Sequence, residues 1–208
     1  MVVGGGKVAE RKISGLLEAQ AQVRVISPRL SSKLSQLVIS RQLDWYERTY
    51  QPGDLKGAVL AIAATDSRET QQQIVAEAEQ AGLLVNVIDD PEKCSFQVPA
   101  VVRRGALTLA VSTGGRSPAV AAMVRENLEK QIGPEYGILL DLLAEVRKKV
   151  IAEPLDCGSR KIKFKKILHK DILSWIKNEQ WDLLRSHVEQ VLGYELDYVK
   201  SMPGKQKQ

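Results

Sequence analysis

Two groups of residues in this 208-residue chain have the types and spacing for chemistry: a glycine run near its start, and carboxylates that follow apolar runs. Gly4-Gly5-Gly6-Lys7-Val8-Ala9 reads as G-x-G-x-x-A. In that pattern Gly4 permits a tight turn, Gly6 lets the backbone approach a ligand, and Ala9 keeps helix and strand close. The unpaired N–H groups of the next helical turn, aided by the helix dipole, suit an anion such as a dinucleotide pyrophosphate. The six residues Gly4, Gly5, Gly6, Lys7, Val8 and Ala9 are therefore candidate cofactor contacts. The carboxylates are Asp66, after Thr65, and Asp89, three positions after Asn86. A carboxylate at the mouth of an open sheet, beside a nicotinamide, can take a proton while a hydride leaves. Asp89 or Asp90 could equally cap a turn before Pro91. A second polar loop, Thr113-Gly114-Gly115-Arg116-Ser117, leads into Pro118. Its N–H groups and Arg116 could cradle carboxylates, and an ordinary hairpin-to-helix connection would read the same way.

These residues need elements to position them. Val2-Val3 before the glycines, a helix over 7–19 and an apolar strand at 23–26 make the βαβ unit that the motif requires. A short helix is expected over 31–39 and an edge strand over 44–50, punctuated by Pro52-Gly53. The unbroken apolar run 58–64 and the run 83–88 read as strands buried on both faces, with a helix over 67–81 between them closing at Gly82. Alternating β and α implies an α/β, Rossmann-like doubly wound parallel sheet. Ligands on such sheets bind beyond the carboxyl ends of the strands. That places Ser27, Thr65 and Asp66 among the cofactor candidates and Asn86 among the substrate candidates. After Pro91 the pattern predicts two strands, 96–102 and 107–112, joined by residues 103–106. A helix then starts at Ser117-Pro118, with serine as cap and proline at the first position. Helices are expected over 138–151, 166–177 and 179–192, with a break at 154–165 and a disordered tail at 203–208.

Composition narrows the class. Apolar residues make up 44% and charged residues 26%, ordinary for a globular protein. Cys94 and Cys157 form neither a disulfide framework nor a C-x-x-C site, which fits a reducing, cytoplasmic setting. No signal peptide or long apolar run argues for export or a membrane. The net charge of +5 suits an anionic ligand, nucleic acid or polycarboxylate alike. The basic run 161–166 has few aromatics beside it and no nucleic-acid motif. It reads as a solvated inter-helix linker or a rim attractive to anions, so no nucleic-acid partner is expected. His169 and His187 read as amphipathic-helix residues, and no metal site with ligand spacing is present.

Five segments occur in order: Val2-Val3-Gly4-Gly5-Gly6-Lys7-Val8-Ala9-Glu10-Arg11-Lys12, Ala63-Ala64-Thr65-Asp66, Asn86-Val87-Ile88-Asp89, Ser95-Phe96 with Pro99, and Val111-Ser112-Thr113-Gly114-Gly115-Arg116-Ser117-Pro118. Together they resemble the siroheme synthase family, precorrin-2 dehydrogenases with or without sirohydrochlorin ferrochelatase activity. The resemblance runs to about residue 150. It implies NAD-dependent oxidation of precorrin-2 to sirohydrochlorin, with Fe2+ as a further substrate where chelation occurs, by a homodimer. It implies an NAD-binding domain (1–95), a small α+β dimerisation segment (96–150) and a helical C-terminal domain (151–208). Asp89 matches the family's functional aspartate, the proton acceptor in dehydrogenation. Cofactor contacts carry over to Lys7, Val8, Pro28 and Arg29, and the position of Thr113 is a phosphorylatable serine in some bifunctional relatives.

Three departures stand out. Ser27-Pro28-Arg29 occupies the place of the usual acidic residue, so the residues alone leave NADP open where the family implies NAD. The first strand has three residues, so a version with added N-terminal strand is expected to melt higher. Metal insertion is not demanded by any residue. A non-catalytic dinucleotide- or tetrapyrrole-binding module, or an oxidoreductase of a small metabolite, are the alternative readings.

Overall fold

The computed structural model describes residues 1–201, so the expectation for the tail at 203–208 lies outside the described residues. The chain divides into two compact units, Met1–Val98 and Pro99 onward.

The first unit is built on five strands: β1 (Val2–Val3), β2 (Arg24–Ile26), β3 (Asp44–Tyr46), β4 (Leu60–Ala63) and β5 (Leu84–Val87). All pair in parallel in the order β3-β2-β1-β4-β5. The chain winds outward from β1 through β2 to β3, then returns to lay β4 against the other side of β1. Strand order thus reverses between β1 and β4, the crevice where open α/β sheets bind ligands. Helices α1 (Lys7–Glu18), α2 (Ser32–Ile39) and α3 (Arg68–Gln80) complete the unit. Because successive side chains in a strand point to opposite faces, Val2 and Val3 enter different cores. Val2, Ala9, Ile13, Val25, Leu34 and Ile62 pack on one face. Val3, Ile26, Ala61, Ala63, Ile74 and Ala78 pack on the other. Each large aliphatic side chain buried there contributes roughly 1.5–3 kcal/mol.

The strands are shorter than the apolar runs suggested, and β3 stops at Tyr46 rather than at residue 50. There Arg48 N–H donates to the Tyr46 carbonyl at 2.8 Å, and its guanidinium grips Asp54 through two bonds of 2.7 Å, bending the chain away. No helix crosses from β3 to β4; turns do. They are held by Glu77 of α3, whose carboxylate accepts from the Tyr50 hydroxyl, from Gly53 N–H at 2.8 Å and from Leu55 N–H at 2.9 Å. Tyr50 and Leu55 are thereby pressed into the core, 7% and 1% exposed.

In the second unit, β6 (Ala100–Arg104) and β7 (Leu107–Val111) form an antiparallel hairpin. Arg103 and Arg104 belong to the strand, not to the connection that the sequence suggested. Arg104 pairs with Leu107, so the turn is only Gly105-Ala106, and Gly105 supplies the positive φ of +56°. Arg104 also donates to the Ile132 carbonyl at 2.8 Å and the Glu129 carbonyl at 3.0 Å, closing the C-terminal end of α4 (Pro118–Gln131). Helices α5 (Glu135–Ala152), α6 (Cys157–Ile167), α7 (Ile172–Lys177), α8 (Trp181–Leu192) and α9 (Asp197–Lys200) follow. Leu142, Val146, Val150, Ile167, Ile172, Ile176, Leu184, Val188 and Leu192 form their core.

The expected break at 154–165 is wrong. Asp156 starts α6 by accepting from Ser159 N–H at 3.0 Å and from its hydroxyl at 2.6 Å. The basic run 161–166 therefore rides on a helix, and the break falls at 168–171. Lys163 reaches Glu153 at 2.7 Å and the Leu192 carbonyl at 3.2 Å. His169 lies in that break rather than on a helix, stacked on Trp175 at 4.9 Å between ring centres. His187 on α8 sits 3.2 Å from the Lys166 and Ile167 carbonyls.

Candidate functional site

The glycine turn lies at the carboxyl end of β1, pinned on both sides. Gly4 N–H donates to the Ile26 carbonyl at 2.9 Å, Ala64 N–H to the Val3 carbonyl at 2.7 Å, and Ser31 N–H to the Gly5 carbonyl at 2.8 Å. Gly4 has φ +117°, and a Cβ there would stand 2.0 Å from the Ala64 carbonyl oxygen. A Cβ at Gly5 would stand 2.1 Å from the Arg29 carbonyl oxygen and 2.9 Å from Ser27 Oγ. Gly6 differs: a Cβ would meet nothing within 4 Å among the described residues. Two glycines thus serve the close packing of three loops, and the third faces open space. Gly6 is also the N-cap of α1, and no side chain caps that end. The leading N–H groups of Lys7, Val8 and Ala9 have no intrahelical acceptor, and the helix dipole adds to their attraction for an anion. Ala9 is fully buried against the sheet. This cradle fits a dinucleotide pyrophosphate.

The loop after β2 is tied to the same turn. Ser27, 7% exposed, turns its hydroxyl inward onto the Arg29 carbonyl at 2.7 Å, and its own carbonyl accepts from Trp45 Nε1 at 2.9 Å. Ser31 caps α2 and donates its hydroxyl to Glu10 at 2.8 Å. Pro28 and Arg29 remain exposed. On the other side of β1, Thr65 Oγ1 accepts from Ser67 N–H at 3.3 Å, and the Thr65 carbonyl accepts from Gln71 Nε2 at 2.7 Å. Asp66 is exposed just before α3.

Asp89 follows β5 at the same edge of the sheet, exposed, with φ +60°. Left-handed backbone costs an L-residue roughly 1–2 kcal/mol, least for Asp and Asn. The neighbouring aspartate does the local work instead. Asp90 binds Lys93 at 2.6 Å, and that hydrogen bond holds its carboxyl below the usual range. Behind the turn, Cys94 Sγ accepts from Val87 N–H at 3.2 Å and lies 3.3 Å from the Val87 and Asp90 carbonyls. Asn86 is buried, its amide donating to the Phe96 carbonyl at 3.1 Å and to Cys94 Sγ at 3.4 Å; its Oδ1 is buried without a partner among the described residues. Sequence reasoning passed over Cys94, whose only signal was its place four residues after Asp90. Lys12, half-buried on α1, is held below the usual lysine range by burial first and by Arg11 second.

The second polar loop belongs to the other unit. Thr113 Oγ1 donates to the Ser117 carbonyl at 3.0 Å and accepts from Ser117 N–H at 3.1 Å, lacing the loop shut. Gly114 and Gly115 adopt φ +62° and +77°, and Arg116 is exposed. Ser117 caps α4 by accepting from Val120 N–H at 3.3 Å, with Pro118 at the first position.

A parallel sheet with an uncapped helix behind a glycine turn defines an NAD(P)-binding protein of the Rossmann-like class. Residues 1–100 match the family model described as putative NAD(P)-binding, and residues 104–131 the one described as sirohaem biosynthesis protein central. By these two segments the chain belongs to the siroheme synthase family. It is 38% identical over 173 residues to siroheme synthase 1 of Aeromonas salmonicida, covering 83% of this chain and 37% of that protein. It is 37% identical over 192 residues to a siroheme synthase of Methylobacillus flagellatus, covering 92% of this chain and 41% of that protein. The chain thus spans about two fifths of such relatives. The solved structure of SirC, a precorrin-2 dehydrogenase, shares the fold with a TM-score of 0.78, 24% identity and 93% coverage of each chain. Among the described residues no helix is long and apolar enough to cross a membrane.

Proposed function

We propose that this chain oxidises precorrin-2 to sirohydrochlorin. The observation that carries the reading is the exposed, left-handed Asp89 at the end of β5, on the sheet edge that also bears the open Gly6 and the uncapped start of α1. NAD, when bound, supplies the hydride acceptor. The N–H groups of Lys7, Val8 and Ala9 would hold its pyrophosphate, and Pro28 and Arg29 would be further contacts to it. With that acceptor in place, an Asp89 carboxylate oxygen would take the proton that the tetrapyrrole gives up and pass it to water. Cys94 and Asn86 brace the turn from behind. Substrate acetate and propionate groups are matched by the Thr113–Ser117 loop, through its N–H groups and Arg116, whose charge suits carboxylates.

The same reading includes a homodimer formed through residues 96–150, a helical domain from 151, a cytoplasmic setting, and Fe2+ insertion with Asp89 removing pyrrole protons. The test is anaerobic incubation with precorrin-2 and NAD, without metal, following NADH and sirohydrochlorin together. Equal appearance of both is expected. A folded protein that binds NAD yet makes neither would overturn the enzymatic reading and leave a binding module.

A further inference from the structure

We propose that the first unit holds a second binding site, a cavity of about 280 Å3 over β2 and β3, and that it takes a small molecule bearing a phosphate group. The cavity has a cause in the topology. A doubly wound sheet carries helices on both faces. Here α1 and α2 pack on one face through Ala9, Ile13 and Leu34, and α3 packs on the other through Ile74 and Ala78. A helix between β3 and β4 would cover Ile26 and its neighbours on that second face, but residues 47–59 supply only turns and bends. The space left is lined by Arg24 and Ile26 of β2, Tyr46 of β3, and Arg48, Asp54 and Lys56 of the turns.

The lining is cationic and held in place. Arg24 Nη2 donates to the Lys56 carbonyl at 3.0 Å, which fixes the guanidinium and leaves Nε and Nη1 without a hydrogen bond among the described residues. Asp54 is the one carboxylate in the lining, and it is spent: it accepts two bonds of 2.7 Å from Arg48 and a third of 2.7 Å from Gln51 N–H. The Arg48 guanidinium lies 5.8 Å from the centre of the Tyr46 ring, so a cation and an aromatic wall stand together. Lys56 is exposed at the rim. Three cations facing one carboxylate that is already paired attract an anion, and the open edge of a planar guanidinium suits phosphate oxygens. The volume is close to the lower end of the ~300–1,000 Å3 usual for small-molecule sites, too little for a dinucleotide. None of these residues contributes to the glycine turn or to the turn that bears Asp89.

The test is calorimetric titration of the full chain with inorganic phosphate, at an ionic strength held constant with sodium chloride, with and without NAD. It is run on the wild type, Arg24→Gln and Lys56→Gln. The wild type is expected to bind phosphate equally well whether or not NAD is present. Arg24→Gln should weaken that binding by about tenfold or more, and Lys56→Gln by about threefold. Lys56→Gln keeps the Arg24 bond, which goes to a backbone carbonyl, so it tests the charge with the cavity wall intact; unchanged circular dichroism shows that each variant folds. No phosphate binding beyond that of chloride would overturn the proposal. So would phosphate that NAD displaces, which would place it on the glycine turn, or an affinity that both folded variants leave unchanged.

Discussion

Gly4 and Gly6 sit two residues apart and face opposite demands. A methyl group on Gly4 must displace the Ala64 carbonyl and adopt φ +117°, whereas one on Gly6 meets only open space. Gly4→Ala is therefore expected to cost about 3 kcal/mol or more in denaturant unfolding. Gly6→Ala should leave that midpoint almost unchanged and weaken dinucleotide binding, because the added methyl occupies the ligand's approach. Equal loss of stability in the two variants would refute the division of roles. Asp89→Asn keeps a side chain that tolerates left-handed backbone, so it should fold normally while turnover falls by about 10²–10⁴. Near-normal turnover would remove Asp89 as the base. The glycine spacing, the serine–proline start of α4 and the place of Asp89 were all legible as residue types. The bracing of Asp89 by Cys94 was not, because a sulfur that accepts an N–H across a turn leaves no periodic or compositional trace.

At the level of elements, the β3–β4 crossover shows how one side chain replaces a helix. Glu77 satisfies two backbone N–H groups and the Tyr50 hydroxyl, and burial followed by that hydrogen bond pushes Tyr50 well above the usual tyrosine range. Glu77→Gln is expected to destabilise the first unit by about 2 kcal/mol in urea unfolding; an unchanged midpoint would show that the turns hold without it. In the second unit Glu153 is held below its ordinary value of 4.5 by the Lys163 hydrogen bond first and the Tyr194 hydroxyl second. Its folded pKa lies below the unfolded one, so the stability it adds is complete above about pH 4.5 and disappears as pH falls through the lower folded value. Glu153→Gln should therefore flatten the acid limb of a pH–stability curve followed by helical circular dichroism. The parallel sheet and the three helices of the first unit followed from alternation of apolar runs, whereas the strand order did not. The start of α6 did not, because Pro154 and the lysine run suggested a linker, while the decisive signal was the Asp156 cap with Ser159 three residues on. The Gly105 turn likewise hid two arginines inside a strand, since basic residues beside a glycine read as loop.

At the scale of the whole molecule, each unit carries its own core. Leu184 is fully buried in the core that α5 to α9 share, so Leu184→Ala should cost about 3 kcal/mol in the second unit. Dinucleotide affinity, which the proposed site draws from residues of the first unit alone, should survive that change; its loss would show that the units do not stand alone. The first unit has a further consequence that lies in time rather than in space. β1 is two residues long, and Val2 pairs with both Val25 and Ile62. The anion cradle therefore comes into being only when distant stretches of chain have met, and such non-local pairing is the slow part of folding. Residues 2–6 are synthesised long before the strand that completes them. A fragment ending before residue 58 would contain every residue of the glycine turn and should bind no dinucleotide, which makes cofactor binding a report on the final closure of the sheet.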